Sequence, residues 1–479
     1  MTGVMDVRGR HTQAILAALS VCAIAHFGEG GFLNAAVQNR EGTESRSGVF
    51  QSAVANYESG KFIEAEQILL PLVRSTPHAF EVNELMGLVL AGERKDREAS
   101  TYLKTAVHED PTSAPAHIAY AACLVRLGRL AEAEAELQRV AALEPSDYDS
   151  NHNLGELYVQ IGKLASAIRY LEKAQVSQPS SYDNGYDLAL ADLRTQRPRE
   201  ARDLLRNLLR YKDTAELHNL LGEAEEESGD YLEAAKELEK AAQMDPSEGN
   251  ILDWGTELLV HHTFQPAVEV FKSGTEKYAA SVKMEIGLGL AYYGLASFEK
   301  SAQALMRAID LAPGDPAPYL VLGETYSDSR VVIAGVTERL ERLTTMEPAN
   351  AKAFYYQALA LWKPAQAASA EKDLSKVESA LKNAATLDPK FADPQLQLGN
   401  LYSDENKIPE AVVAYKKALR IDPNLADAHY HLAQLYRRTG KGTEARIELA
   451  AYQRLHEEQG REKDEKFRQI QRFIITMNR

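Results

Sequence analysis

Between Ala392 and Leu425 the apolar residues fall into two runs at helical spacing, separated by a polar break. Leu398, Gly399 and Tyr402 share one face of a first helix, and Asp393-Pro394 gives that helix a start, a capping side chain followed by a proline tolerated in the first turn. Asp404 to Lys407 interrupts the pattern. Ala411, Tyr415 and Ala418 mark a second helix, and Pro423 ends it. The stretch predicts a helix–turn–helix hairpin of 34 residues, with Gly399 and Ala411 small enough for the two helices to cross closely.

Laid along the chain, this pattern repeats. Twelve repeats start near Arg46, Phe80, Ala114, Tyr148, Tyr182, Ala215, Glu248, Val282, Pro316, Ala351, Ala392 and Ala426. A period of about 34 residues held over this distance is a far stronger signal than any one motif. Each first helix carries a small residue at the matching position, such as Gly87, Ala121, Gly155 and Gly289. Most second helices carry an alanine, such as Ala99, Ala167 and Ala234. In the ninth repeat Gly335 falls at that second position. A larger side chain at a helix crossing overpacks it, at a cost of roughly 1–3 kcal/mol. The closing proline is missing after the fifth repeat (Tyr211-Lys212-Asp213) and the seventh (Tyr278-Ala279). Two repeats are irregular. Ser327 to Gly335 lacks the usual turn, and the tenth repeat has about seven extra residues near Trp362-Lys363-Pro364 and Ala365 to Ala370, judged against the period. The turn position carries Gly60, Gly128, Gly162, Gly229 and Gly440.

The spacing of a large residue, Leu-Gly, Tyr, Ala, an aromatic or Leu, and Pro resembles the tetratricopeptide repeat. The resemblance covers 46–453 and implies an all-α fold, a right-handed superhelical solenoid of antiparallel helix hairpins. It also implies that positions two, five, nine, twelve and thirteen of each repeat face a concave groove. Carried over, these positions are Ile118 and Val125, then Tyr186, Leu190 and Leu193, then Leu252 and Leu259, then Ile286, Leu290 and Tyr293. The sixth repeat presents an acidic set, with Glu223, Glu226 and Glu227, and the twelfth offers Tyr430, Gln434, Arg437 and Arg438. Asn400 occupies a position that some family members use to hold a chaperone carboxylate, without the accompanying basic residues.

The net charge is −15, with 69 acidic against 54 basic residues, which argues against nucleic acid as a partner. Arg8 and Arg10 precede an apolar run from Ala14 to Ala25 that is too short to span a membrane comfortably. Ala23-Ile24-Ala25 resembles a cleavage site. The expectation is a signal peptide over 1–25, a linker over 26–45 and an exported protein, periplasmic or extracellular. A cytoplasmic chain, or one anchored by its N-terminus, is the alternative. Cys22 lies in the signal, so the mature chain has one thiol, Cys123, read as a small buried hydrophobe. Phe467, Ile470, Phe473 and Ile474 recur at helical spacing, and 454–479 is read as a capping helix.

No constellation of nucleophile, base and orienting group stands out. His261 and His262 are adjacent at a repeat turn. Thr439 to Thr443 lacks the first glycine of a phosphate loop and follows no strand. The expected function is a non-catalytic scaffold for other proteins, with no cofactor, metal or catalytic residue. The alternative is an interaction subunit of a cell-envelope or glycan-processing enzyme complex.

Overall fold

The computed structural model describes residues 40–329, 331–367 and 374–458. Among them there are helices and turns and no strand. The signal expected over 1–25 and the capping helix beyond residue 458 lie outside the described residues. Leading helices of successive hairpins begin at Arg40, Phe80, Ala114, Tyr148, Tyr182, Ala215, Glu248, Val282, Pro316, Ala351, Asp393 and Ala426. Each is followed by a trailing helix, the last over 442–458. The first leading helix, Arg40–Glu58, starts inside the stretch read as a linker. No helix among the described residues is long and apolar enough to cross a membrane.

The described residues form two compact bodies that divide between Ser228 and Gly229. In the N-terminal body the small residues sit where the pattern puts them. Ala53, Ala65, Ala99, Ala133, Ala167, Ala189 and Ala201 are fully buried. A Cβ on Gly87 would stand 2.4 Å from Leu103 Cγ, and one on Gly155 2.6 Å from Leu171 Cδ2. The partner lies sixteen residues on in both cases. The same step recurs in the C-terminal body, where a Cβ on Gly399 would meet Tyr415 Cε1 at 2.4 Å. The ninth repeat breaks this rule. A Cβ on Gly323 would meet Tyr356, on the next leading helix, at 2.4 Å. Gly335 does not lie at a crossing. It precedes the trailing helix Val336–Met346 with φ 83°, a left-handed conformation that halts one segment and starts the next. The extra residues of the tenth repeat lengthen its leading helix to Ala351–Ala367.

Every described hairpin turn uses the left-handed region at one position. Glycine fills it at Gly60, Gly128, Gly162, Gly229 and Gly440. Gly440 is therefore a turn residue and not part of a phosphate loop. Arg94, Gln196, His262, Ala296 and Asn406 adopt the same conformation without that freedom, with φ between 54° and 64°. A left-handed alanine costs about 1–2 kcal/mol, and glycine returns part of this as unfolded-state entropy. Ala296, which is exposed, is expected on replacement by glycine to stabilise the protein by about 0.5–1 kcal/mol in urea titration.

A second recurring device has no counterpart in the expected pattern. The fourth residue of the leading helix bonds the carbonyl of the proline that closed the previous hairpin. Asn83 Nδ2 donates to Pro77 O at 2.9 Å, Asn151 Nδ2 to Pro145 O at 3.1 Å, and Tyr319 Oη to Pro313 O at 3.0 Å. His117 and His429 place Nε2 3.2 Å and 3.1 Å from Pro111 O and Pro423 O. Where the proline is missing after the fifth repeat, His218 Nε2 meets Asp213 Oδ1 at 2.6 Å instead. The device gives a hydrogen-bond partner to the proline carbonyl, which lies one residue past the helix cap. Cys123 is fully buried, and burial pushes its thiol up to about 11.

Candidate partner-binding cleft

In the C-terminal body the leading helices Pro316–Ser327, Ala351–Ala367, Asp393–Asp404 and Ala426–Arg438 wall a cleft of about 520 Å³. Ser327, Tyr355, Leu359, Trp362, Asn400 and Ser403 are among its lining residues. Counted from the repeat starts, these are positions five, nine and twelve, with Asp393 and Asp427 at two and Asp328, Lys363 and Asp404 at thirteen.

Asp393 does not cap its helix. Ala392 is the capping residue and makes no side-chain bond, while Asp393 lies in the first turn with its carboxyl pushed up, mainly by burial. Tyr355 packs against the edge of Phe391, ring centres 5.0 Å apart. Its hydroxyl is pushed up by burial first and by Asp393 next. Tyr415 donates its hydroxyl to Asn400 Oδ1 at 2.8 Å, and Asn400 Nδ2 donates to Gln397 Oε1 at 3.0 Å. Both ends of the Asn400 amide thus have partners within the protein. His431 stacks on the Tyr415 ring at 5.8 Å, and burial lowers its pKa.

Lys363 is the lysine of the lining and it serves the fold. Its Nζ donates to the carbonyls of Tyr326 and of Ser327, the latter at 3.2 Å, and stands 3.9 Å from the centre of the Tyr326 ring. It caps the C-terminus of Pro316–Ser327, where a cation is favoured. Burial pushes its pKa down to about 8.

The residues expected to face a groove are spread differently. In the N-terminal body Leu193 is 1% exposed and Ile118 8% exposed, so neither offers surface to a partner. Each packs in the core because its neighbouring helix covers it. Half-buried Val125 shares with Ile118, Leu137 and Leu157 a gap of only about 10 Å³. Tyr186 and Leu190 are half-buried against the cluster of Leu205 and Leu221. Glu223 accepts from Arg194 at 2.7 Å, so part of the expected acidic patch is already paired. Glu226 is half-buried, and exposed Glu227 has its carboxyl raised by burial and by Glu223.

In the C-terminal body Leu252 and Leu259 pack beside Phe271, and Ile286 beside Leu305 and Tyr319. Leu290 is half-buried. Two members of the expected set touch residues that line the cleft. Tyr293 donates its hydroxyl to Asp328, and Tyr430 lies edge-on to His431 at 5.4 Å. Gln434 is half-buried, while Arg437 and Arg438 are exposed, Arg438 donating to Asn406 Oδ1 at 3.1 Å. The cleft itself comes from the ninth to twelfth repeats. Their signal was the same five positions, applied across the irregular repeats as well as the regular ones.

Family models described as tetratricopeptide repeats match residues 93–154, 148–180, 186–249 and 286–315, and one described as a TPR repeat matches 399–440. The chain is a tetratricopeptide-repeat protein. Similar solved structures include Naa15/Naa10 bound to HypK-THB, at 16% identity over 85% of this chain and 68% of that one, with a TM-score of 0.41. Another is the C-terminal part of a TPR repeat-containing protein from Cytophaga hutchinsonii, at 17% identity over 50% of this chain and 96% of that one, with a TM-score of 0.43. The APC/C hetero-tetramer Cut9-Hcn1 is similar at 13% identity over 92% and 96%, with a TM-score of 0.37. No curated protein matches the chain. Repeats of this family imply protein partners.

Proposed function

We propose that this tetratricopeptide-repeat protein is a non-catalytic scaffold that holds a segment of another protein in the cleft of repeats nine to twelve. The supporting observation is the cleft itself. It is built from one face of consecutive leading helices, mixes leucines with polar side chains, and matches the size at which surfaces begin to enclose a ligand. Repeat arrays commonly use such extended surfaces for binding. Lys363 and Asn400 are engaged in holding its walls and offer no activated nucleophile, which suits binding. We also propose that the chain is exported, on the basic start and apolar run of its first 25 residues.

One experiment addresses both. A photo-crosslinking residue at Ser403 in the full chain, activated in cells that are then fractionated, is expected to trap a discrete partner in the envelope or outside the cell. The same probe at Glu410, exposed on a trailing helix, is expected not to trap it. Identical products from the two sites count against the cleft as the binding surface, and recovery in the cytoplasm counts against export.

A further inference from the structure

We propose that the cleft of repeats nine to twelve takes a segment carrying two lysine or arginine side chains about five residues apart. This rests on the reading of the cleft as a protein-binding surface and adds the chemistry of the partner.

Charge complementarity carries the inference. Asp328, Asp393, Asp404 and Asp427 all line the cleft. The lining has one lysine to set against them, and its Nζ is turned onto the carbonyls of Tyr326 and Ser327 and over the Tyr326 ring, with Asp328 the carboxylate that acts on it. The histidine of the lining is stacked on Tyr415. With four carboxylates and one lysine, the lining is anionic. Half-buried Tyr355 adds an aromatic ring, a surface that also favours cations.

The placement of the carboxylates decides between a small cation and a chain segment. Asp393 begins and Asp404 ends the same helix, Asp393–Asp404. At 1.5 Å per residue they are separated by about 16 Å along its axis. Oxygen ligands of one metal ion lie within about 2.6 Å of it, so these two cannot share an ion. An extended chain covers about 16 Å in about five residues. Leu359, Leu396 and Leu425 lie in the same lining and suit apolar side chains between the charged ones. The recognition is then of a segment with cationic groups at both ends of a short apolar stretch, held by charge and fixed in register by the spacing.

The test uses the full chain and a short fluorescein-labelled peptide with two lysines five residues apart and leucines between, followed by anisotropy. Binding is expected, weakening as salt is raised. Asp404→Lys with Asp427→Lys is expected to weaken it tenfold or more. Glu299→Lys with Glu410→Lys, which makes the same charge change on exposed trailing-helix positions, is expected to leave it unchanged. Circular dichroism confirms that both double variants fold. Equal weakening by the two pairs, or equal binding of a peptide with glutamates in place of lysines, overturns the proposal. So does binding that appears only in a chain ending at residue 458, because it would assign the cleft to residues 459–479, which carry six Lys and Arg against three Asp and Glu. A partner crosslinked at Ser403 whose capture survives the cleft reversal would remove the cationic segment and leave the scaffold reading standing.

Discussion

Replacing Gly155 by leucine is expected to unfold the fourth hairpin, while replacing it by alanine is expected to change stability by no more than about 1 kcal/mol. The two helices of that hairpin, Tyr148–Gln160 and Leu164–Ser177, cross at this residue. A Cβ here would lie 2.6 Å from both Cδ2 and Cγ of Leu171 and 3.3 Å from its backbone nitrogen. An alanine is tolerable if Leu171 turns aside. Ala53, Ala121 and Ala189 hold the same position in other repeats and are buried at 0–1% exposure. Alanine also gains helix propensity of nearly 1 kcal/mol over glycine. Leucine adds three further carbons beyond the Cβ, which meet the trailing helix backbone as well as a side chain. Overpacking of this kind costs about 1–3 kcal/mol when the surroundings can relax, and more when backbone must move. We expect about 3 kcal/mol or more, read as a lowered midpoint in urea and as faster amide exchange in the fourth hairpin and its neighbours. Contacts in such an array are between neighbours, so the loss is expected to be local. A leucine variant that melts with the parent would mean that the helices do not cross at this residue.

The crossings were legible because they depend on residue size alone at a fixed period. Gly399, Ala411 and their counterparts can be read without knowing what covers them. The turn residue was legible at Gly60, Gly128 and Gly440 and hidden at Arg94, Gln196 and Ala296, where the backbone adopts the same conformation with a side chain that does not announce it. The bond to the proline carbonyl was hidden for a different reason. Asn83, His117, Asn151 and Tyr319 do one job with three side-chain types, so composition shows no pattern although position does. The cleft was obscured by the irregular repeats. Asp328 follows a helix with no ordinary turn, and Lys363 lies on a helix longer than the period predicts. Both keep the register as residue thirteen of their repeats, but the pattern does not show what packs beside a helix end where the usual turn is absent. Leu193 shows the opposite error. A family position assigns it to a groove, but burial depends on the neighbouring helix, and that helix covers it.

Glu156→Gln is expected to stabilise the N-terminal body at pH 9 and to leave it nearly unchanged at pH 5. Glu156 is 3% exposed on the leading helix of the fourth repeat, and its Oε2 has no hydrogen-bond partner among the described residues. Burial pushes its pKa from 4.5 to about 8, with Asp187 and Asp183 adding repulsion. Asp187, 7% exposed, is itself pushed up to about 7, chiefly by burial and then by Asp183. A carboxyl whose folded pKa lies above its unfolded value binds its proton more tightly in the folded state. Its stabilising effect is complete below about pH 4.5 and is lost as pH rises through about 8. Ionising it without a partner in the core carries the cost of a buried, unpaired charge. Glutamine keeps the shape of the protonated acid and cannot ionise, so the variant lacks this loss. The difference between variant and parent is expected to grow from near zero at pH 5 to a few kcal/mol at pH 9, at about 1.4 kcal/mol per pKa unit. Urea midpoints at pH 5, 7 and 9 measure it directly. Subtracting parent from variant cancels other titrating groups, except for Asp187, whose own pKa should fall once its neighbour can no longer carry charge. Parallel stability curves for the two proteins across that range would show that Glu156 is not held in the core as a neutral acid.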